Sequence, residues 1–152
     1  MRGVEDLGSA VIDASVAVKW VVDESHSKAA AALLERSLVW MAPRLMLIEA
    51  AAALRRKVAG HELGPVAATA ALRSLADATR EGTIQLADDE QLVTEALLLA
   101  LDLGHKVPDC VYLALAEREG CGLATADRQL AMLARSRTIP VIGIGAAAKA
   151  NT

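Results

Sequence analysis

Ser9-Ala10-Val11-Ile12-Asp13-Ala14-Ser15-Val16-Ala17-Val18-Lys19-Trp20 is the stretch whose reading decides the fold of this chain. Ala10 to Ile12 put one small and two β-branched residues in a row without a charge, the pattern of a buried strand. Asp13 closes the run. A buried carboxylate without a partner is expensive, so Asp13 must lie exposed at the strand end or be held by a partner. From Val16 to Val22 the pattern turns helical. One acid therefore stands at a strand-to-helix junction, which in open α/β sheets is where ligands bind. The rest of the chain decides whether other acids converge on it.

Outward from this stretch, strand and helix patterns alternate. Ser27 is placed to cap an alanine-rich helix over 28–36. Leu38 to Met41 is a second apolar run, ended by Pro43. Leu45 to Val58 reads as a helix in which Glu49 is the single charge between Leu45 and Leu54. Helical spacing puts Glu49 on a face with Leu45, Ile48, Ala52, Ala53 and Arg56. An ion pair to Arg56, a partly exposed face among small residues and a functional acid all fit that placement. Pro65 suits the first turn of a helix over 66–80. Ile84-Gln85-Leu86 is a third strand. Asp88-Asp89 read as capping acids for a helix from Glu90 to Leu103, which Gly104 stops. Pro108 and Asp109 open another helix and Gly120 closes it. Cys121 to Thr125 is a fourth strand with Ala126-Asp127 directly after it. A helix over 128–137 and a last strand over 139–142 follow, and the small-residue tail to Thr152 is expected to fray. Strands separated by helices predict one α/β domain with a parallel sheet, residues 1–152 with a core over about 9–143.

Composition narrows the function classes. The chain has 152 residues, 54 % of them hydrophobic, which allows a real core and excludes a disordered chain. Two Trp, one Tyr and no Phe argue against an aromatic stacking platform for single-stranded nucleic acid. The formal net charge of −3 excludes bulk electrostatic binding of nucleic acid, so a phosphate substrate needs a local basic patch or a metal ion. Lys19, Arg55, Arg56, Lys57, Lys106 and Arg128 are candidates for such a patch, although a plain solvated charge is the better explanation of each. Cys110 and Cys121 have no zinc spacing and read as reduced packing thiols. His26, His61 and His105 also lack metal-ligand spacing and are assigned no catalytic role. Glu5 and Asp6 precede the first apolar run and no basic leader is present, unlike a signal peptide. No charge-free run reaches the ~18 residues of a membrane span. The expectation is a cytoplasmic protein without a membrane partner.

Four acids stand out by position. Asp13 and Asp127 each follow a strand, Asp109 opens a helix, and Glu49 interrupts an apolar helical face. Carboxylates brought together repel one another unless a cation neutralises them. Oxygen donors of this kind suit Mg²⁺ or Mn²⁺, ions that can activate water and stabilise charge on a phosphodiester being cut.

The segments Val11 to Trp20, Pro43 to Arg56 around Glu49, Pro108 to Glu117, and Leu123-Ala124-Thr125-Ala126-Asp127 resemble the ordered motifs of PIN-domain proteins. The resemblance is closest to the VapC-like toxins of bacterial VapBC toxin–antitoxin pairs and runs from Val11 to about Ile142. It implies a three-layer α/β/α fold around a central parallel sheet of four to five strands. It implies a Mg²⁺- or Mn²⁺-dependent endoribonuclease, with Asp13, Glu49, Asp109 and Asp127 as the catalytic acids. Asp13 and Asp109 would be the most direct metal ligands. Asp127 would bind a metal or its water, Glu49 would orient or deprotonate the attacking water, and Ser15 and Thr125 would hold carboxylates or metal-bound waters. Some relatives carry a further acid after the fourth, where this chain has Arg128-Gln129-Leu130. The resemblance also implies RNA as substrate, a homodimer, and a small VapB-like antitoxin whose tail fills the acidic groove.

Two other readings are weighed against this one. A PIN-fold binding module would use the acids to dock a protein partner. A metal-dependent phosphatase would want a second acid two residues beyond the first, and Asp13-Ala14-Ser15 lacks it.

Overall fold

The computed structural model describes residues 8–151. The expectation about the acidic start of the chain falls on residues 1–7, and Thr152 ends the predicted frayed tail; both lie outside the described residues. Among the described residues five strands form one sheet: β1 (Ser9–Ile12), β2 (Val39–Pro43), β3 (Ile84–Ala87), β4 (Gly122–Thr125) and β5 (Val141–Gly143). All four pairings are parallel and the order is β3-β2-β1-β4-β5. β1 is central, and its Ala10, Val11 and Ile12 are fully buried. Strands buried on both faces lose least when charge-free and β-branched.

Helices supply the crossovers: α1 (Ala14–Val21), α2 (Ser27–Leu33), α3 (Leu45–Ala59), α4 (Pro65–Arg80), α5 (Val93–Leu103), α6 (Val107–Glu119) and α7 (Arg128–Ser136). α1, α3 and α4 pack on one another and α5 packs on α6, and helices flank the sheet in the three layers expected. α6 packs against β1, β2 and β4 and is covered by α5. Its residues from Asp109 to Ala116 are all buried, as an apolar helix inside a domain must be. Gly104 and Gly120 end α5 and α6 in the left-handed region, at φ +63° and +60°. Glycine enters that region without the Cβ penalty, so both stops are read correctly from sequence.

The structure departs from the sequence reading in four places. Ser27 does not cap its own helix: its hydroxyl donates to Val22 O and accepts from Glu24 N–H, both at 2.9 Å, and so ties α2 back to the end of α1. The helix expected from Glu90 begins at Val93, after a 3₁₀ turn over Asp89–Gln91. Pro43 lies inside β2 rather than after it, paired with Ala87 at the end of the strand. The tail forms a 3₁₀ helix over Gly145–Asn151, and the buried Ile144 and Ala147 carry the core past residue 143. Cys110 and Cys121 are buried and form no disulfide.

Candidate functional site

The chain runs from β1 out to β3, then returns to lay β4 on the other side of β1. The sheet therefore reverses its winding between β1 and β4, and a crevice opens beyond their carboxyl ends. Asp13 leaves β1 there and Asp127 leaves β4 there. The two strand ends are stitched together. Asp13 N–H donates to Ala124 O at 3.0 Å. Asp13 Oδ2 accepts from Ser15 Oγ at 2.6 Å and from Thr125 Oγ1 at 2.8 Å. Ser15 Oγ in turn accepts from Ala126 N–H, and Thr125 Oγ1 from Asp127 N–H, each at 3.0 Å. The buried carboxylate thus has the partners that its burial demands.

Glu49 and Asp109 come to the same crevice from α3 and α6. Glu49 Oε1 accepts from the Tyr112 hydroxyl at 2.6 Å, which couples the two helices. That contact, rather than an ion pair with Arg56, explains the acid on the apolar face of α3. His105 Nε2 lies 2.6 Å from Asp109 Oδ2, and Lys106 Nζ lies 3.7 Å from the same oxygen. A carboxylate can only accept, so Nε2 carries the hydrogen. Asp127 caps α7 by accepting from Leu130 N–H through Oδ1 at 3.1 Å.

The four acids share one design. In each, the protein engages one oxygen: Asp13 Oδ2, Glu49 Oε1, Asp109 Oδ2 and Asp127 Oδ1. Among the described residues no hydrogen bond reaches Asp13 Oδ1, Glu49 Oε2, Asp109 Oδ1 or Asp127 Oδ2. Burial and repulsion are felt in the acidity of Asp13 and Glu49. Burial pushes the Asp13 carboxyl above its ordinary range; the Ser15 and Thr125 hydroxyls oppose the rise, and the charges of Asp109 and Asp127 add to it. Burial likewise raises Glu49, opposed by Tyr112 and reinforced by Asp13 and Asp109. Tyr112 is itself held far above the usual phenol range, by burial and then by Asp13 and Glu49, so it stays a donor.

All four predicted acids meet in one electrostatically coupled group, and Ser15 and Thr125 lie within it. Sequence reasoning missed Tyr112 and His105. The Tyr112 signal is that a lone tyrosine hydroxyl inside an apolar helix requires a partner. The His105 signal is its spacing of four residues from Asp109. As placed, no three His, Cys, Asp or Glu side chains among the described residues form a ready-made metal cage. The donor chemistry still fits Mg²⁺, which keeps several waters and takes one or two carboxylates directly.

Fold and site together define a class: parallel-sheet proteins that gather carboxylates at the carboxyl edge where the winding reverses. The chain belongs to the PIN domain family, whose model matches residues 10–136. No curated protein sequence matches it. Several solved structures share the fold, three of them as follows. The crystal structure of PAE2754 from Pyrobaculum aerophilum has a TM-score of 0.65 at 20 % identity, covering 92 % of this chain and 90 % of that one. A toxin–antitoxin complex from Klebsiella pneumoniae has a TM-score of 0.54 at 16 % identity, covering 79 % and 88 %. VapBC2 from Rickettsia felis, bound to a DNA fragment from its promoter, has a TM-score of 0.58 at 11 % identity, covering 90 % and 98 %.

Proposed function

We propose that this protein is a metal-dependent endoribonuclease and the toxin of a type II toxin–antitoxin pair. The observation that carries the reading is the coupled group of four acids, each anchored by one oxygen with the other uncommitted. Membership of the PIN family, whose members are generally nucleases, supports it. In this reading Asp13 and Asp109 would hold a Mg²⁺ or Mn²⁺ ion, and Asp127 would bind the ion or its water. The ion supplies neutralising charge and lowers the cost of charge developing on the phosphodiester. Ser15 and Thr125 keep Asp13 turned so that one oxygen faces the crevice. Tyr112 holds Glu49 Oε1, leaving Oε2 to orient a water and take its proton. Burial raises the pKa of Glu49, which makes it a better proton acceptor than an exposed glutamate. The water oxygen attacks phosphorus, and the ribose oxygen leaves with the electron pair of the broken P–O bond.

The proposed partner is a small VapB-like antitoxin. The toxin–antitoxin complexes among the structural relatives support it, and an arginine from its tail would pair with the free carboxylate oxygens. The proposed assembly is a homodimer. The proposed location is the cytoplasm, in keeping with the finding that no helix among the described residues is long and apolar enough to cross a membrane.

The test is cleavage of RNA by the purified protein with Mg²⁺ or Mn²⁺. Asp13→Asn and Asp109→Asn are each expected to lower the rate at least ~100-fold. Metal-dependent cleavage retained in both variants would overturn the site. One observation favours a second reading, a binding module: no ready-made metal cage exists among the described residues. That reading expects partner binding that survives EDTA and no cleavage of any RNA.

A further inference from the structure

A groove of about 410 Å³ runs beside Ser15 and Ala126, the neighbours of Asp13 and Asp127. Lys19 of α1, Arg56 and Lys57 of α3, and the loop residues Glu24 and Glu62 line it. Glu24 sits between the two lysines. Its Oε1 is 3.3 Å from Lys19 Nζ, and its Oε2 pairs with Lys57 Nζ. Lys19 also donates to Ser25 O at 2.8 Å, and Lys57 lies 3.6 Å from Glu62 Oε2. The side chains of Lys19, Glu24 and Lys57 are only 12 %, 18 % and 20 % exposed. Arg56 is exposed beside them and has no ion pair among the described residues.

An anion whose two oxygens each face an ammonium group is what a backbone phosphate would present here. The adjacent guanidinium offers the planar fork that suits phosphate. Three cations face two acids, so the groove keeps a positive balance in a chain whose net charge is −3. We propose that this groove holds the phosphodiester backbone of a single-stranded nucleic acid next to the bond to be cut, and that Glu24 occupies a phosphate's place in the free protein. The inference rests on the nuclease reading and adds to it a path for the substrate. The groove begins at Ser15, so a strand lying in it runs directly to the four acids.

The alternative is a plain structural clamp that ties the loop after α1 to α3. The two accounts differ in sign. A clamp loses stability when Glu24 is changed and leaves nucleic-acid affinity alone. A phosphate stand-in competes with the ligand, so its removal strengthens binding.

The experiment measures anisotropy of a short labelled mixed-sequence RNA, and of the DNA of the same sequence, with the full-length protein in EDTA across a salt series. Glu24→Gln is expected to bind both strands severalfold tighter. Arg56→Ala and Lys57→Ala are each expected to bind severalfold weaker, with the salt slope reduced by about 0.7 for each phosphate no longer neutralised. RNA and DNA should respond alike, since the phosphodiester is common to both. Arg56→Ala keeps the test decisive if Glu24→Gln fails to fold, because Arg56 is exposed. Wild-type affinity and slope in Arg56→Ala and Lys57→Ala, with cleavage intact, would overturn the groove alone. A wild-type protein that neither binds nor cuts RNA overturns both the groove and the nuclease reading.

Discussion

Asp13 carries a stability cost that its proposed role explains. Burial and neighbouring acids hold its carboxyl above the ordinary range, while in the unfolded chain it ionises near 3.8. Below that pH both states are protonated and the fold bears no penalty. As pH rises through the folded-state value, ionisation inside the fold costs stability that the unfolded chain keeps. Asp13→Asn removes the charge and keeps an oxygen to accept from Ser15 and Thr125. The variant is expected to melt at higher temperature than wild type at pH 7.5 in EDTA, with the gap closing toward pH 4. A lower melting temperature at pH 7.5 would contradict this account. The trade is one in which a strained functional group is kept although it weakens the fold.

Among the elements, α3 shows how a helix is positioned from far along the chain. Its N-terminus follows Pro43 and Arg44 and has no capping side chain of its own. Asp89 supplies the cap from beyond β3: its two oxygens accept from Arg44 N–H at 2.7 Å and Leu45 N–H at 2.8 Å. Read in sequence, Asp88-Asp89 cap whatever follows them, and Asp88 does so by accepting from Glu90 N–H. Asp89 serves a helix 45 residues earlier. Asp89→Ala is expected to destabilise the fold by ~0.5–2 kcal/mol in denaturant unfolding, the usual cost of a lost cap. It should also slow cleavage, because Glu49 lies one turn from the freed end. Unfolding at wild-type denaturant concentration would sink the assignment. This contrast marks what could be read from the chain. Local signals were legible: the charge-free Ala10 to Ile12, and the helix stops at Gly104 and Gly120. Partners distant in sequence were not. Glu49 and Tyr112 are 63 residues apart, and nothing local joins them. The order of the strands was equally hidden, since β1 beside β4 is a property of the winding. The family motifs are enough to group the acids; only the fold says why one oxygen of each is left free.

Across the whole molecule, one face is conspicuously apolar. Val93, Leu97 and Leu101 recur every fourth residue along α5 and are all exposed. Ile48, 74 % exposed on α3, and the exposed Val107 border the same region. Leu45, Ile48, Val93, Val107, Pro108 and Val111 line a hollow of about 340 Å³ that reaches Glu49. Monomeric soluble proteins seldom leave such a contiguous patch open. A homodimer that buries this face is the expected state, measured by sedimentation or light scattering. Leu97→Glu places a charge in the middle of the stripe and is expected to yield a folded monomer. A wild-type monomer, or a variant dimer as stable as wild type, would refute the assignment of this face.

The hydrogen bond from Thr125 to Asp13 spans 112 residues, and that span has a meaning during synthesis. The ribosome delivers β1 early, yet the strand that seats beside it, with the hydroxyl that anchors its acid, is translated much later. At ~5–20 residues per second the delay lasts roughly 6 to 22 seconds. Throughout it Asp13 lacks Thr125 and Asp127, so the nascent chain has a sheet edge in the making and no crevice. Translation that terminates before Thr125 yields a fragment in which Asp13 lacks the hydroxyl that anchors it and the acid that follows β4.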